Sequence, residues 1–377
     1  MQYRKFTRNN LDISLLGFGC MRLPVLNGDS SQIDEEKATE MLHYAIDNGI
    51  NYIDTAYNYH QGNSEIFVGN ALKNDYRQKV YLATKLPVWL VKTYEDFEKL
   101  LDEQLEKLQT KYIDFYLLHS LYEKTWINIE KLNVFKFLDE AKRKGKIKYA
   151  GFSFHDELPL FKKIIDSYSW DFCQIQLNYM DRQYQAGIPG LKYATEKGIS
   201  LIIMEPIKGG KLASTPKDIK EVWDESTEKR TPAEWALKWV YDFEEVSVVL
   251  SGMSTLEQVK QNIGITNNSL PKSLTKEEHD LIDKVTALYN EKIKVGCTDC
   301  EYCMPCPSNV AIPNIFSQYN NYYVFGTEEQ SISTYKKLIE QGKDSTKCTE
   351  CETCEQLCPQ HLKIISFLKD ADKVLLK

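Results

Sequence analysis

Eight short apolar runs, each followed by a helical or turn-rich stretch, dominate the first 290 or so residues of this chain. They are ISLLGFG (13–19), NYIDTA (51–56), VYLATK (80–85), DFYLLH (114–119), YAGFSF (149–154), FCQIQLN (172–178), SLIIMEP (200–206) and VSVVLSG (246–252). Between them lie amphipathic segments such as EEKATEMLHYAIDNG (35–49), YEDFEKLLDEQLEKLQ (94–109) and VFKFLDEAKRKGK (134–146). Strands alternating with helices of this length form βαβ units and a parallel sheet. Eight such units suit a (β/α)8 barrel, whose usual length is roughly 250 residues. The competing arrangement is an open, doubly wound sheet. That fold would place G-x-G-x-x-G after the first strand, and GFGCMR lacks the third glycine. Residues 1–12 alternate polar and apolar positions and are expected to form a hairpin ahead of the barrel.

Charge narrows the function. A net charge of −7 gives no electrostatic footing for nucleic acid. The opening MQYRKFTRNN is polar and basic, unlike a secretory signal. No apolar run is long enough to span a bilayer. The expected location is the cytoplasm, where thiols stay reduced.

Catalysis in barrels takes place at the C-terminal ends of the strands. Asp54, Lys85 and His119 close the second, third and fourth runs, and Tyr59 lies on the loop after the second. All four are expected at one mouth. Singly, each has an ordinary reading: a core histidine, a snorkelling lysine, a packing tyrosine. Together they suit carbonyl chemistry. A lysine cation beside a tyrosine favours the phenolate and lowers its pKa, and a carboxylate beside that lysine holds it charged. Such a phenol protonates a carbonyl oxygen while hydride reaches its carbon. Two further loops suit a phosphate group: PIKGGKLA (206–213), with Gly209 and Gly210 between Lys208 and Lys211, and SGMSTLEQVKQNI (251–263), where Ser254 or Thr255 caps a helix. The expected pocket wall includes Met21, Arg22, Tyr57, Trp89 and the loop 121–129 with Trp126.

LGFGCMRLP, DTAYNY…GNSE, ATK, LLH, GFS, CQIQLNY, MEPIKGGKL and GMSTLEQVKQN together resemble the aldo-keto reductases over residues 1–290. The resemblance implies a barrel that binds NADP or NAD without a doubly wound domain, and a catalytic tetrad of Asp54, Tyr59, Lys85 and His119. The family spacing favours Tyr59 over its neighbour Tyr57. Ser153 and Gln174 match positions that hold the nicotinamide carboxamide. Glu205, Pro206, Ile207, Gly209, Gly210, Lys211 and Leu212 match the loop over the pyrophosphate. Gly252, Met253, Ser254, Gln258 and Asn262 match the adenosine end. Gly19, Cys20 and Met21 fall beside the cofactor on the loop after the first strand. Three departures stand out: Met204 where many members stack an aromatic ring, Phe154 in place of an asparagine, and Gln258 in place of an arginine for the 2′-phosphate. A neutral amide forgoes the charge-assisted contact an arginine makes, and Lys211 or Lys260 are its candidate substitutes.

Eight of ten cysteines follow residue 296, in CTDCEYCMPCP (297–307) and CTECETCEQLCP (348–359). The second is the C-x2-C-x2-C-x3-C-P run of [4Fe–4S] proteins, in which the fourth cysteine ligates the other cluster. This assigns Cys297, Cys300, Cys303 and Cys358 to one cluster, and Cys348, Cys351, Cys354 and Cys306 to a second. Zinc, which favours paired Cys-x2-Cys units, is the main rival. Residues 291–377 then form a small, mainly helical ferredoxin-type domain after a 1–290 barrel, within the α/β class. Cys20 and Cys173 are expected to be packing residues. The function expected is NAD(P)H-dependent reduction of a small-molecule aldehyde or ketone, with a redox partner protein for the clusters. The alternative is an electron-transfer protein whose barrel senses nicotinamide without fast turnover.

Overall fold

The computed structural model describes residues 1–6, 11–297, 299, 302–358 and 360–377. An antiparallel pair, β1 (Tyr3–Phe6) and β2 (Leu11–Ser14), precedes eight parallel strands. These are β3 (Leu16–Gly19), β4 (Tyr52–Asp54), β5 (Tyr81–Leu86), β6 (Ile113–Leu121), β7 (Ile147–Phe154), β8 (Phe172–Gln176), β9 (Ser200–Met204) and β10 (Val246–Gly252). They close in sequence order, with β10 pairing β3. The helices of this part are α1 (Glu35–Asp47), α2 (Asn63–Ala71), α3 (Glu95–Lys107), α4 (Glu123–Lys131), α5 (Val134–Arg143), α6 (Leu158–Ser167), α7 (Gly187–Glu196), α8 (Lys217–Trp223), α9 (Pro232–Tyr241) and α10 (Leu256–Asn267). After them come α11 (Lys276–Glu291), α12 (Ile312–Val324), α13 (Glu328–Glu340), α14 (Thr353–Leu357) and α15 (Ile364–Leu375).

The first apolar run is divided between two structures. Leu11–Ser14 joins the hairpin, and only Leu16–Gly19 enters the barrel. Ser14 marks the break: its hydroxyl donates to the Leu16 carbonyl at 2.8 Å, and its N–H donates to Asn51 Oδ1 at 2.8 Å. The hairpin seals the N-terminal end of the barrel. Phe6 and Ile13 are buried with Tyr52, Phe115, Phe172, Ile202 and Val248. Phe115 is central, with the rings of Phe6, Tyr52, Tyr149 and Phe172 centred 5.0–5.2 Å away. Arg4 reinforces the seal by donating to the carbonyls of Tyr241, Phe243 and Val246. With this end filled by side chains, the opposite rim is left for chemistry.

The chain divides into two compact units, one of residues 1–209 and 233–274, the other of 210–232 and 275–377. In the second, Val295, Val310, Ile312, Ile315, Tyr335, Ile364, Leu368 and Leu375 form the core. Two polar clamps order it. Tyr335 donates to Asp372 Oδ1 at 2.6 Å and bonds the Ser345 hydroxyl. The Asn320 amide bonds Lys294 and Val295 just before the first cysteine run. Lys292 and Lys284 of α11 pair with Asp218 and Glu225, in and just after α8. Among the described residues, no helix is long and apolar enough to cross a membrane.

Phe115→Ala removes the ring that four others pack around. It is expected to lower unfolding free energy by about 3–5 kcal/mol, measured by denaturant titration.

Candidate functional site

The barrel register gathers the ionisable residues. Asp54 ends β4 and lies opposite Gly19 and Ala83, while Lys85 on β5 lies opposite Leu117 on β6. His119 is two residues further along β6, and Tyr59 opens the tight turn Tyr59–Gly62 beyond β4. Lys85 is fully buried. Its Nζ donates to Asp54 Oδ1 at 2.7 Å, the Thr55 carbonyl at 2.8 Å and the Tyr59 hydroxyl at 3.1 Å. An ammonium has three protons and no acceptor, so these bonds spend it completely. The neighbouring Tyr57 points elsewhere and donates to Glu103 Oε1 at 3.0 Å.

Burial and charge compete at each group. For Lys85, burial disfavours the cation, but Asp54 and Tyr59 outweigh it and raise the pKa. For Tyr59 burial wins, pushing the phenol above its ordinary 10.0 against the pull of Lys85. The expected lowering of the phenol is therefore reversed. The physical reason is that a phenolate in a dry site loses more hydration than one cation returns. His119 is driven well below 6.5 by burial and then by the Lys85 charge, so it is neutral at pH 7. Its Nδ1 has no partner among the described residues. The ring stands edge-on to Tyr59, with centroids 6.1 Å apart, and 5.2 Å from the partly exposed Trp89. A neutral phenol held by an ammonium, beside an imidazole with an unspent nitrogen, can give a proton to an oxygen placed between them.

Ser153 and Gln174 sit side by side across the β7–β8 pair. The Ser153 hydroxyl oxygen accepts from the Ser120 N–H at 2.6 Å. Gln174 Nε2 donates to the Met204 sulfur at 3.4 Å, while its buried Oε1 has no partner among the described residues. That oxygen is an unspent acceptor. Beyond Met204, the Glu205 carbonyl accepts from Asn178 Nδ2 at 3.1 Å, and Pro206 and Ile207 lead into a turn over Lys208–Ala213. Lys208, Gly209 and Gly210 are all left-handed (φ 48°, 64° and 94°), which explains the paired glycines. Neither flanking lysine is spare. Lys208 pairs with Asp181, while Lys211 donates to Asn321 Oδ1 at 2.9 Å and lies 5.5 Å from the Phe325 ring. Leu212 is buried.

At the other loop, Thr255 Oγ1 caps α10 by accepting the Gln258 N–H at 3.2 Å, and Gln258 Oε1 accepts from the Ser254 N–H at 2.8 Å. Gly252 lies opposite Gly19. Asn262 is buried with its Nδ2 on Ser251 Oγ at 3.0 Å, and Met253 is buried too. Cys20 and Cys173 are fully buried, and burial pushes both thiols up. Met21 is 53 % exposed on its short turn. Trp126 is buried against Phe135.

One residue expected only as pocket wall has a larger place. A Cβ added to Gly209 would stand 3.1 Å from Arg22 Nη2, and one added to Gly252 3.2 Å from Arg22 Cγ. Ser254 Oγ also donates to the Arg22 carbonyl at 2.7 Å. An exposed guanidinium thus lies across both glycine turns. No spacing rule signals this, because the contact joins the first strand's loop to the last two.

In the second unit, Cys297, Cys303, Cys306, Cys348 and Cys354 pack half-buried against the core, Cys358 is buried and Cys351 is exposed. Cys300 lies outside the described residues. A small cavity is lined by Cys306, Cys348, Cys351 and Cys354 together with Val310, Ile312, Ile365 and Leu368. These are the four cysteines that spacing assigns to one cluster. The Glu350 N–H donates to Cys348 Sγ at 3.4 Å, and hydrogen bonds from Thr353 draw the Cys351 thiol below its ordinary 9.0. Donors of this kind favour thiolates, the ligand form an iron–sulfur cluster requires. Among the described residues, no three Cys, His, Asp or Glu side chains converge on a single point for one metal ion.

The eight-stranded barrel and its rim constellation define an α/β oxidoreductase scaffold, and comparison with known proteins agrees. The chain belongs to the aldo/keto reductase family, whose model matches residues 15–287, and a 4Fe-4S dicluster domain follows at residues 296–362. An uncharacterized oxidoreductase from Bacillus subtilis, YqkF, is 29% identical over 308 residues, covering 74% of this chain and 94% of that one. The NADH-specific methylglyoxal reductase of Escherichia coli is 25% identical over 69% of this chain and 92% of its own. Among solved structures, the aldo-keto reductase AKR11C1 of Bacillus halodurans, in its holo form, superposes with a TM-score of 0.63 at 29% identity. That match covers 76% of this chain and 96% of that one.

Because burial depresses the His119 pKa only in the fold, protons bind the unfolded chain more tightly. Folding stability therefore falls as pH drops below 6.5, by at most about 1.4 kcal/mol per pH unit for this group. His119→Gln is expected to remove that share of the slope. Denaturation midpoints at several pH values between neutral and mildly acidic check it.

Proposed function

We propose that the barrel reduces an aldehyde or ketone with a nicotinamide cofactor, NADPH in first place and NADH in second. The observation that carries this reading is the threefold bond of buried Lys85 to Asp54, Thr55 and Tyr59. It leaves one phenol proton poised beside a neutral imidazole. When bound, the dihydronicotinamide supplies the hydride. Tyr59 gives its proton to the carbonyl oxygen, and Lys85 steadies the phenolate left behind. Asp54 keeps Lys85 charged and in place, and His119 orients the carbonyl oxygen.

The residues present fit the cofactor. The unspent Gln174 Oε1 would accept from the carboxamide N–H₂ and the Ser153 hydroxyl would donate to its oxygen. Met204 would meet the ring, where a polarizable thioether packs well. Glu205–Leu212 would hold the pyrophosphate, and Arg22 would bring the charge that the paired Lys208 does not. Gly252–Thr255 and Gln258 would hold the adenosine end, with buried Asn262 bonded to Ser251 beside them. The name of the Escherichia coli relative, which specifies NADH, keeps the second cofactor in play, since Gln258 lacks a charge for a 2′-phosphate.

The tail is assigned two [4Fe–4S] clusters, on Cys297, Cys300, Cys303 and Cys358, and on Cys348, Cys351, Cys354 and Cys306. Exposed Cys351 places one ligand where a redox partner protein could exchange single electrons. We assign the chain to the cytoplasm, where such thiolates stay reduced.

Tyr59→Phe is expected to lower kcat by about 10²–10⁴-fold and to leave the NADPH Kd unchanged, since only the proton donor is removed. Stopped-flow turnover over an aldehyde panel and fluorescence titration measure the two, and full activity in this variant would refute the assignment. Cys354→Ser is expected to cost about four iron atoms per chain in anaerobically purified protein, counted by iron assay. An unchanged iron count would remove that cluster.

A further inference from the structure

The turn that carries Tyr59 is strained. His60 (φ 51°, ψ 42°), Gln61 (φ 54°, ψ 32°) and Gly62 (φ 96°) are consecutive and left-handed. Glycine adopts this conformation freely, but side-chain-bearing residues do not. Two of them in succession persist only where their surroundings over-determine the backbone.

Here the surroundings are the loop between β3 and α1. His60 is buried, and both ring nitrogens are engaged. One, Nδ1, lies 2.8 Å from the Ser30 carbonyl, so it carries the proton. The other, Nε2, accepts the Leu23 N–H at 3.3 Å. Gln61 Nε2 donates to Ser30 Oγ at 3.1 Å, and Asn63 Nδ2 donates to the Ser31 carbonyl at 2.9 Å. That loop is itself closed, by the Val25–Ile33 bridge and by the Leu26 N–H on the Gln32 carbonyl at 2.8 Å. Past the turn, Ser64 Oγ bonds Thr55 Oγ1 at 2.8 Å and the Cys20 carbonyl at 3.2 Å. Tyr59 itself is held by its N–H on the Ala56 carbonyl at 3.2 Å, its carbonyl on the Asn63 N–H, its ring against His119 and its hydroxyl on Lys85. The strained turn sets the direction from which that hydroxyl arrives, and the histidine imidazole is the one side chain of the turn bonded to the loop through both Leu23 and Ser30.

We propose that His60 is a positioning residue for proton transfer. Its imidazole locks the left-handed turn against Leu23 and Ser30 so that the Tyr59 hydroxyl is held at Lys85. This rests on the role proposed for Tyr59. Backbone conformation alone favours glycine at position 60, so stability and positioning make opposite demands there, and a variant can separate them.

His60→Gly relieves the strain while removing both ties. It is expected to keep a melting temperature near that of the native chain, and to bind NADPH within about twofold of native. With an aldehyde from the panel that the native chain reduces, it is expected to lose about tenfold or more in kcat, the scale of loss a displaced catalytic group produces. His60→Gln, whose side-chain amide reaches the Leu23 N–H, is expected to recover kcat to within about threefold. In the Tyr59→Phe background the His60→Gly loss is expected to vanish, because the group being positioned is gone. Native kcat in His60→Gly while Tyr59→Phe is inactive would overturn this inference and leave the enzyme assignment standing. A fully active Tyr59→Phe would overturn the assignment itself. A kcat loss that persists unchanged in the Tyr59→Phe background would show that His60 does not act through the tyrosine.

Discussion

A buried ammonium with no spare proton is the constraint on which the barrel rim is built. Lys85 reaches no solvent, so its charge survives only because a carboxylate, a carbonyl and a phenol surround it. Breaking a buried pair of this kind leaves an uncompensated charge, which costs about 3–5 kcal/mol. The strands must therefore bring β4 and β5 to a register in which Asp54 and Lys85 meet, and the turn after β4 must return Tyr59 to the same point. The site is stable because it is complete, and it is chemically poised because one of the three acceptors is itself an acid.

The electrostatics divide the labour without further residues. Burial raises the Tyr59 phenol and depresses the His119 imidazole, so both are neutral at pH 7. Each then has a neutral hydrogen-bonding group to offer. Burial keeps the phenol protonated, and the Lys85 cation limits how far its pKa rises.

The barrel was legible because apolar runs and amphipathic helices alternate with little interruption, and strand ends mark where Asp54, Lys85 and His119 stand. The first run misled at one point: ISLLGFG is continuous in hydrophobicity, yet Ser14 bonds across it and splits it between hairpin and barrel. Arg22 and Trp126 were harder to place for a shared reason. Whether a side chain at a loop or helix crosses to a distant glycine or joins an aromatic core depends on packing between elements far apart in sequence. The direction of the Tyr59 shift was hidden in the same way, since a count of neighbouring charges carries no measure of burial. His60 and Gln61 gave no warning of left-handed backbone, because neither residue type demands it.

The cysteine-rich tail shows the same division between spacing and packing. The run C-x2-C-x2-C-x3-C assigns ligands without reference to any fold, and the cavity lined by Cys306, Cys348, Cys351 and Cys354 joins cysteines from both runs, as exchange of the fourth ligand requires. These four cysteines share that cavity with Val310, Ile312, Ile365 and Leu368, so it is packing, not spacing, that brings the two runs together. Cys351 is the most exposed of the four.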